Sequence, residues 1–237
     1  MVVPDAAELI VWYLVFVFST TCHEAAHAYL AFRGGDLTAY EGGQVTLDPT
    51  PHIRRSPFGM VLVPLLSFLS VGWMIGWAST PFDPEWGRRH PKRQALMSLA
   101  GPAANLLLAA IALIAIRSLV AANVFEAPRT VAYSRLVEVP GSDGRSALAA
   151  LAMALSVMLN LNVLLGLFNL MPIPPLDGAG VVQGISPRHT VPLYDRLRET
   201  PLMQMVGLLI AWKLFSYLAG PAFSLTLWLV HPHVLYR

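Results

Sequence analysis

TCHEAAH, at residues 21–27, is a metal-binding pattern inside a long apolar stretch. On a helix, residues four apart share one face about 6 Å apart along the axis, so His23 and His27 can direct two imidazole nitrogens at one ion. Glu24 lies about 60° around the helix from His27, a place for a base that accepts a proton from water. The His-Glu-x-x-His pattern therefore predicts one zinc ion per chain; the alternative is a polar cluster satisfied between helices.

The composition is that of an integral membrane protein. Of the 237 residues, 55% are hydrophobic and only 13% are charged, and the mean hydropathy is +0.56, which is far from a soluble domain. The net charge of +2 is too small to indicate a nucleic-acid partner. The length predicts a single integral-membrane domain, 1–237, with a core at 9–190 and a C-terminal membrane segment at 201–230.

Uncharged runs predict an all-α polytopic fold with about four to six transmembrane helices. Spans are expected at 9–32, 95–116 and 146–171, and at 201–230 as either one helix or two short pieces. Residues 57–82 are interrupted by proline and glycine, so they either re-enter the membrane or span it.

Basic residues predict the orientation. Arginines at 54–55 precede the segment 57–82, and four basic residues within 88–93 follow it, which puts both ends in the cytoplasm by the positive-inside rule. If the first span runs inward, its histidine pair lies near that face. We therefore expect a multi-pass protein of the cell membrane whose active site is directed toward the cytoplasm.

Residues 36–48 predict a small membrane-associated β-hairpin. Leu37 to Glu41 and Gln44 to Leu47 would be its strands, and Gly42-Gly43 its turn. An unpaired edge could hold an extended substrate as an added strand. An ordinary surface hairpin explains the pattern equally well.

A catalytic zinc site generally has a third protein ligand. The span 146–171 returns to the face of the histidine pair and leads through a proline-rich segment to Asp177. We therefore expect Asp177 to be the third ligand, although an aspartate before a glycine also fits a helix cap or turn. His52, His90 and His189 remain candidates on the same side, in polar loops where histidine is usually solvated.

Three motifs, in this order, resemble the site-2 protease family of intramembrane metallopeptidases: HEAAH at 23–27, AGPAAN at 100–105, and the segment Asn169–Gly178. The resemblance covers residues 15–185 and is to the short branch without PDZ or CBS domains. The chain departs from that branch at Asp48 and Arg54, where Asn and Asp are usual.

The resemblance implies that His23, His27 and Asp177 bind zinc, that Glu24 is the general base, and that Asn169 helps to hold the substrate carbonyl or the oxyanion. The implied function is a zinc-dependent intramembrane endopeptidase. It would cut peptide bonds in or next to transmembrane segments of membrane proteins, with the lipid bilayer around it. The rivals are a divalent-metal transporter and a catalytically inactive scaffold of the same fold. Neither the substrate nor the oligomeric state follows from the sequence.

Overall fold

The structure is a computed structural model in which residues 5–142, 144 and 146–234 are described. Helices account for most of it. In chain order they are α1 (Ala6–Gly34), α2 (Thr38–Glu41), α3 (Pro49–Arg55), a π-helical turn (Phe58–Leu62), α4 (Val63–Val71), α5 (Pro84–Arg89), α6 (Pro91–Ala121), α7 (Ala147–Asn169), α8 (Asp177–Ile185), α9 (Pro187–Glu199) and α10 (Pro201–Val230).

Among the described residues, four helices are long and apolar enough to cross a membrane, namely α1, α6, α7 and α10. They confirm the prediction of an all-α polytopic fold. The C-terminal run is one helix, α10, which continues through Pro221. It is also the most peripheral of the four, because only 11% of its apolar window is buried, against 33–44% in the other three.

Helix α6 is the central helix of the bundle and packs against α1, α7 and α8. Phe16 of α1, Phe68 of α4 and Val157 of α7 are buried in one apolar cluster. Ile116 of α6 and Leu159 of α7 belong to a second. Close packing of these apolar side chains holds α1, α6 and α7 in fixed positions, and these helices carry most of the polar residues described below.

The end of α1 is set by Gly35, whose φ of 95° lies in the left-handed region that favours glycine. Its N–H caps the helix on the carbonyls of Ala31 and Phe32. His27 is therefore about two turns from the C-terminal end of the span, as the sequence pattern indicates.

The predicted β-hairpin at 36–48 is wrong, since this fully described segment contains no strand. The buried carboxylate of Asp36 accepts hydrogen bonds from the main-chain nitrogen and the hydroxyl of Thr38, at 2.9 and 2.6 Å. These bonds start the helical turn α2. Gly43, with φ 70°, follows the end of that turn instead of joining two strands.

Residues 57–82 form a helical arm and a non-helical return. The arm ends at Gly72, and on the way back the N–H of Trp77 donates to the carbonyl of Gly59 at 3.1 Å. The hydroxyls of Ser56 and Ser79 lie 3.5 Å apart. Both ends of the segment are therefore close together, as a re-entrant segment requires, whereas a single straight span would separate them.

Candidate metal centre

Three side chains meet at one point between α1 and α8. The Nε2 atoms of His23 and His27 lie 3.0 Å apart, and Asp177 Oδ2 lies 3.1 Å from the first and 3.3 Å from the second. All three ligand atoms fall within 4.8 Å of one another. The structure thus brings together the histidine pair and the aspartate, which are 150 to 154 residues apart in the sequence.

The outer nitrogens of both imidazoles are hydrogen-bonded. His27 Nδ1 lies 2.7 Å from the carbonyl oxygen of Met97, and His23 Nδ1 lies 2.6 Å from Oδ1 of Asn105. A carbonyl oxygen can only accept, so each Nδ1 donates, and Nε2 of a neutral imidazole carries a lone pair. This second bond is the usual support of a metal-binding histidine.

Three acceptor atoms therefore face one another at the centre of the cluster. Asp177 Oδ2 is buried and has no hydrogen-bond partner among the residues that the structure describes. Acceptors at such distances repel unless a positive charge, a proton or a metal ion, lies between them. Two imidazoles and one carboxylate form a donor set typical of catalytic zinc, so the residues fit the predicted ion.

The position of Asp177 follows from the close packing of α8 on α6. Gly180 lies against Ser98, and Gly184 lies against Ala95. A Cβ at either glycine would overlap with its neighbour, so only glycine permits this approach. The approach places the first residue of α8 beside the histidine pair.

Asp177 does not cap its own helix. The N-cap residue of α8 is Leu176, and no side chain caps the helix there. Burial alone would raise the pKa of the Asp177 carboxyl, but the protonated forms of His27 and His23 hold that pKa well below its usual range. A cation bound between the neutral imidazoles would likewise keep the carboxylate ionised, as a metal ligand must be.

Gly101 of α6 packs directly against the two imidazoles of the cluster. A Cβ built on this glycine would overlap with Nε2 of both His23 and His27. The space in front of the two nitrogens therefore depends on the absence of a side chain at this position.

Glu24 is buried, and its carboxylate is oriented by Thr80. The Thr80 hydroxyl lies 2.8 Å from Glu24 Oε2 and 3.0 Å from the main-chain oxygen of the same residue. Thr80 belongs to the non-helical return after α4. The return therefore contacts the candidate base directly.

The other predicted residues form hydrogen bonds to main-chain carbonyls. Asn169 donates from Nδ2 to the carbonyl of Leu165, one turn back in α7, at 3.0 Å. His52 bonds to the carbonyl of Thr46, and His90 bonds to the carbonyl of Trp86. The side chain of His189 is outside the described residues. In the described ranges, only one group of three potential ligands is found.

Sequence reasoning missed Thr80, and it missed a role for Asn105. Nothing in the local sequence marks Thr80, because its partner is 56 residues away. Asn105 could have been found, since a buried amide in a membrane span needs partners and this one closes the AGPAAN motif. Asn162 of α7 is a second buried amide of a membrane span, and it is fully buried.

Comparisons of the sequence with known proteins identify its family. Residues 11–214 match the family Peptidase family M50. "Putative zinc metalloprotease YwhC" of Bacillus subtilis (strain 168) is 34% identical over 179 residues, which are 73% of this chain and 68% of that protein. "Putative zinc metalloprotease Rip2" of Mycobacterium tuberculosis (strain ATCC 25618 / H37Rv) is 29% identical over 215 residues, 90% of this chain and 70% of that protein. No solved structure matches the chain significantly.

The family match covers most of the chain and includes all three motifs that carried the resemblance, which is confirmed. A metalloprotease function follows from it. The chain therefore belongs to Peptidase family M50, the site-2 protease family.

Proposed function

We propose that this protein is a zinc-dependent intramembrane endopeptidase that hydrolyses peptide bonds in or next to transmembrane segments of other membrane proteins. The observation that carries the proposal is the convergence of His23, His27 and Asp177, within a bundle of apolar helices, beside the buried carboxylate of Glu24. Zinc, when bound by these three residues, polarises the scissile carbonyl and makes a water molecule a better nucleophile at neutral pH.

Glu24 is the general base. It accepts a proton from the attacking water and delivers that proton to the leaving amine. The Thr80 hydroxyl, 2.8 Å from Oε2, fixes the direction of the carboxylate so that little reorganisation is needed during the reaction.

Asn169 steadies the negative charge that develops on the substrate carbonyl. Its amide donates to the carbonyl of Leu165 in the free protein. The Leu165 carbonyl lies within α7 and takes part in the hydrogen bonding of that helix. The Asn169 amide can therefore leave it and donate to the substrate oxygen, and no main-chain group is left unpaired.

The site is directed toward the cytoplasm in this proposal, and residues 1–237 form a single membrane domain. The main-chain oxygen of Gly34, at the end of α1, accepts hydrogen bonds from Trp86 Nε1 and Arg93 Nη1, at 3.0 and 3.1 Å. The basic segment 88–93 therefore lies at the end of α1 that is nearer to His27. By the positive-inside rule this end is cytoplasmic, which gives water a short route to the site.

Hydrolysis is favoured over metal transport by the number of potential ligand groups. A transporter needs ligands along a path through both leaflets, whereas the described part of the chain has a single group of three. A buried carboxylate next to that group, held by a hydroxyl, is a feature that a base needs and a transit site does not.

The proposal can be tested in liposomes that contain the zinc-loaded protein and one of two probes. The first probe is a panel of single-span model proteins whose transmembrane segments contain helix-destabilising residues; the second is casein, an unfolded soluble protein. We expect cuts within or beside the transmembrane segments, mapped by mass spectrometry, and no cuts by Glu24→Gln protein.

Two outcomes would contradict the proposal. If casein were cleaved as fast as every membrane probe, the protein would be a metalloprotease without specificity for transmembrane segments. Zinc flux across the liposome membrane without cleavage of any probe would favour the transporter.

A further inference from the structure

We infer that a relay of hydrogen bonds, from the main-chain carbonyl of Met158 through the amides of Asn162 and Asn105, determines which ring nitrogen of His23 carries the proton. Through this tautomer the relay sets the metal affinity of the site. The inference deepens the proposed function and rests on its metal site. The two asparagines are positioning residues in this scheme, since neither contacts the candidate ion position.

The relay consists of consecutive short hydrogen bonds through three helices. Asn162 Nδ2 of α7 donates to the carbonyl of Met158 at 2.9 Å. Asn105 Nδ2 of α6 donates to Asn162 Oδ1 at 2.8 Å. Asn105 Oδ1 lies 2.6 Å from His23 Nδ1 of α1. Both asparagines are 0% exposed, so water does not compete for these bonds.

The direction of the relay is fixed at its far end. A main-chain carbonyl only accepts, so the nitrogen of Asn162, and not its oxygen, must face Met158. The oxygen of Asn162 then faces Asn105, which must donate to it. The oxygen of Asn105 in turn faces His23, which must donate from Nδ1. Nε2 of the neutral ring is thereby left with its lone pair directed at the cluster.

The opposite tautomer of His23 would require both amides to turn over. Asn162 Oδ1 would then face the Met158 carbonyl at about the 2.9 Å that Nδ2 now occupies, an unfavourable contact between two acceptors in a buried site. Ser19 supports the observed direction, because its hydroxyl points toward the Met158 sulfur and its oxygen accepts from Asn162 at 2.8 Å.

His27 needs no such relay. Its Nδ1 donates directly to the carbonyl of Met97. Because this carbonyl belongs to the main chain, no substitution of a side chain removes it. Both imidazoles are therefore directed by a main-chain carbonyl, His27 in one step and His23 through two side chains. Substitution of either asparagine should consequently disturb His23 and leave the bond between His27 and Met97 in place.

The test measures zinc affinity by competition with a chelator in the detergent-purified full chain. Asn105→Leu and Asn162→Leu should each weaken zinc binding about 10- to 100-fold, the usual effect of removing an outer partner of a metal ligand. Asn105→Asp should bind zinc more tightly than Asn105→Leu, because its carboxylate still accepts from His23 Nδ1, although its second oxygen replaces the nitrogen that donates to Asn162 Oδ1.

The matched control is Asn160→Leu. Asn160 is also a buried amide of α7, but it donates to the carbonyl of Tyr133 at 2.8 Å, outside the relay. Its substitution tests the general cost of removing an amide from this helix, and we expect zinc affinity to remain as in wild type.

A second measurement reports the tautomer itself. ¹⁵N NMR of histidine-labelled, metal-free protein, at a pH where the imidazoles are neutral, should show His23 protonated at Nδ1 in wild type, Asn105→Asp and Asn160→Leu. A mixture of tautomers is expected in Asn162→Leu. A His23→Ala spectrum assigns the signal.

Each outcome supports or overturns the relay. Wild-type zinc affinity and an unchanged tautomer in Asn162→Leu would overturn it, as would equal zinc affinities of Asn105→Asp and Asn105→Leu. If the leucine variants do not fold, the wild-type ¹⁵N spectrum decides, because His23 protonated at Nε2 would overturn the relay. Failure of wild-type protein to bind zinc would instead refute the proposed function.

Discussion

The hydroxyl of Thr80 lies 2.8 Å from the carboxylate of Glu24 and connects the non-helical return after α4 to the first span. One proton is available on the hydroxyl, and both the carboxylate oxygen and the main-chain oxygen of Glu24 lie within reach. The charged partner forms the stronger bond. Thr80 therefore orients the candidate base from outside its own helix.

Thr80→Val should lower kcat for peptide cleavage about 10- to 100-fold, because valine keeps the shape but no longer orients the carboxylate. Zinc content should remain as in wild type. Thr226→Val is the matched control, since Thr226 is also buried and its hydroxyl bonds only within α10, to the carbonyl of Ala222. Equal kcat values for Thr80→Val and Thr226→Val would show that Thr80 does not contribute to catalysis by orienting Glu24.

Substitution of the candidate ligands should separate metal binding from catalysis. We expect about one zinc per chain in wild type, a large loss in His23→Ala and Asp177→Ala, and full retention in Glu24→Gln. Elemental analysis of detergent-purified protein measures all four. Cleavage should fall by a factor of at least about 100 in Glu24→Gln, since general acid–base catalysis contributes that much.

Full zinc occupancy in Asp177→Ala would contradict the assignment of the third ligand. Asp36→Ala serves as a control for the removal of a buried aspartate, because Asp36 bonds to Thr38 and to the main-chain nitrogen of Asp83 at 2.8 Å, away from the cluster. It should keep its zinc even if the protein becomes less stable.

Gly101→Ala should abolish zinc binding while the protein still folds. Alanine favours a helix over glycine by about 1 kcal/mol, but its methyl group would overlap with both Nε2 atoms. Gly220→Ala is the matched control, because a Cβ at this helical glycine meets no atom within 4 Å. Isothermal titration with zinc compares the two; normal binding by Gly101→Ala would show that the nitrogens face elsewhere.

The orientation proposed here can be measured with a membrane-impermeant maleimide. In a Cys22→Ser background, Arg88→Cys should react only from the cytoplasmic side, and Ser142→Cys only from the opposite side. Both positions are exposed, so a failure to react would not arise from burial. The reverse labelling pattern would invert the topology and place the metal cluster toward the outside.

The sequence alone determined the elements that depend on local chemistry. Apolar runs of about 20 residues form spans because the thickness of a bilayer requires that length. His23 and His27 share a face because the helical repeat brings residues four apart together. The local pattern failed at 36–48, where a Gly-Gly pair is compatible with a hairpin, but the Asp36 carboxylate stabilises a helical turn.

Only the tertiary structure decided which distant groups surround the histidine pair. The glycines at 180 and 184 bring Asp177 to the cluster because they allow α8 to approach α6. Thr80 reaches Glu24 because the chain turns back after Gly72. The amides of Asn105 and Asn162 meet between two helices. Such contacts join residues 56 to 154 positions apart, and they depend on how whole helices pack, which no local sequence period encodes.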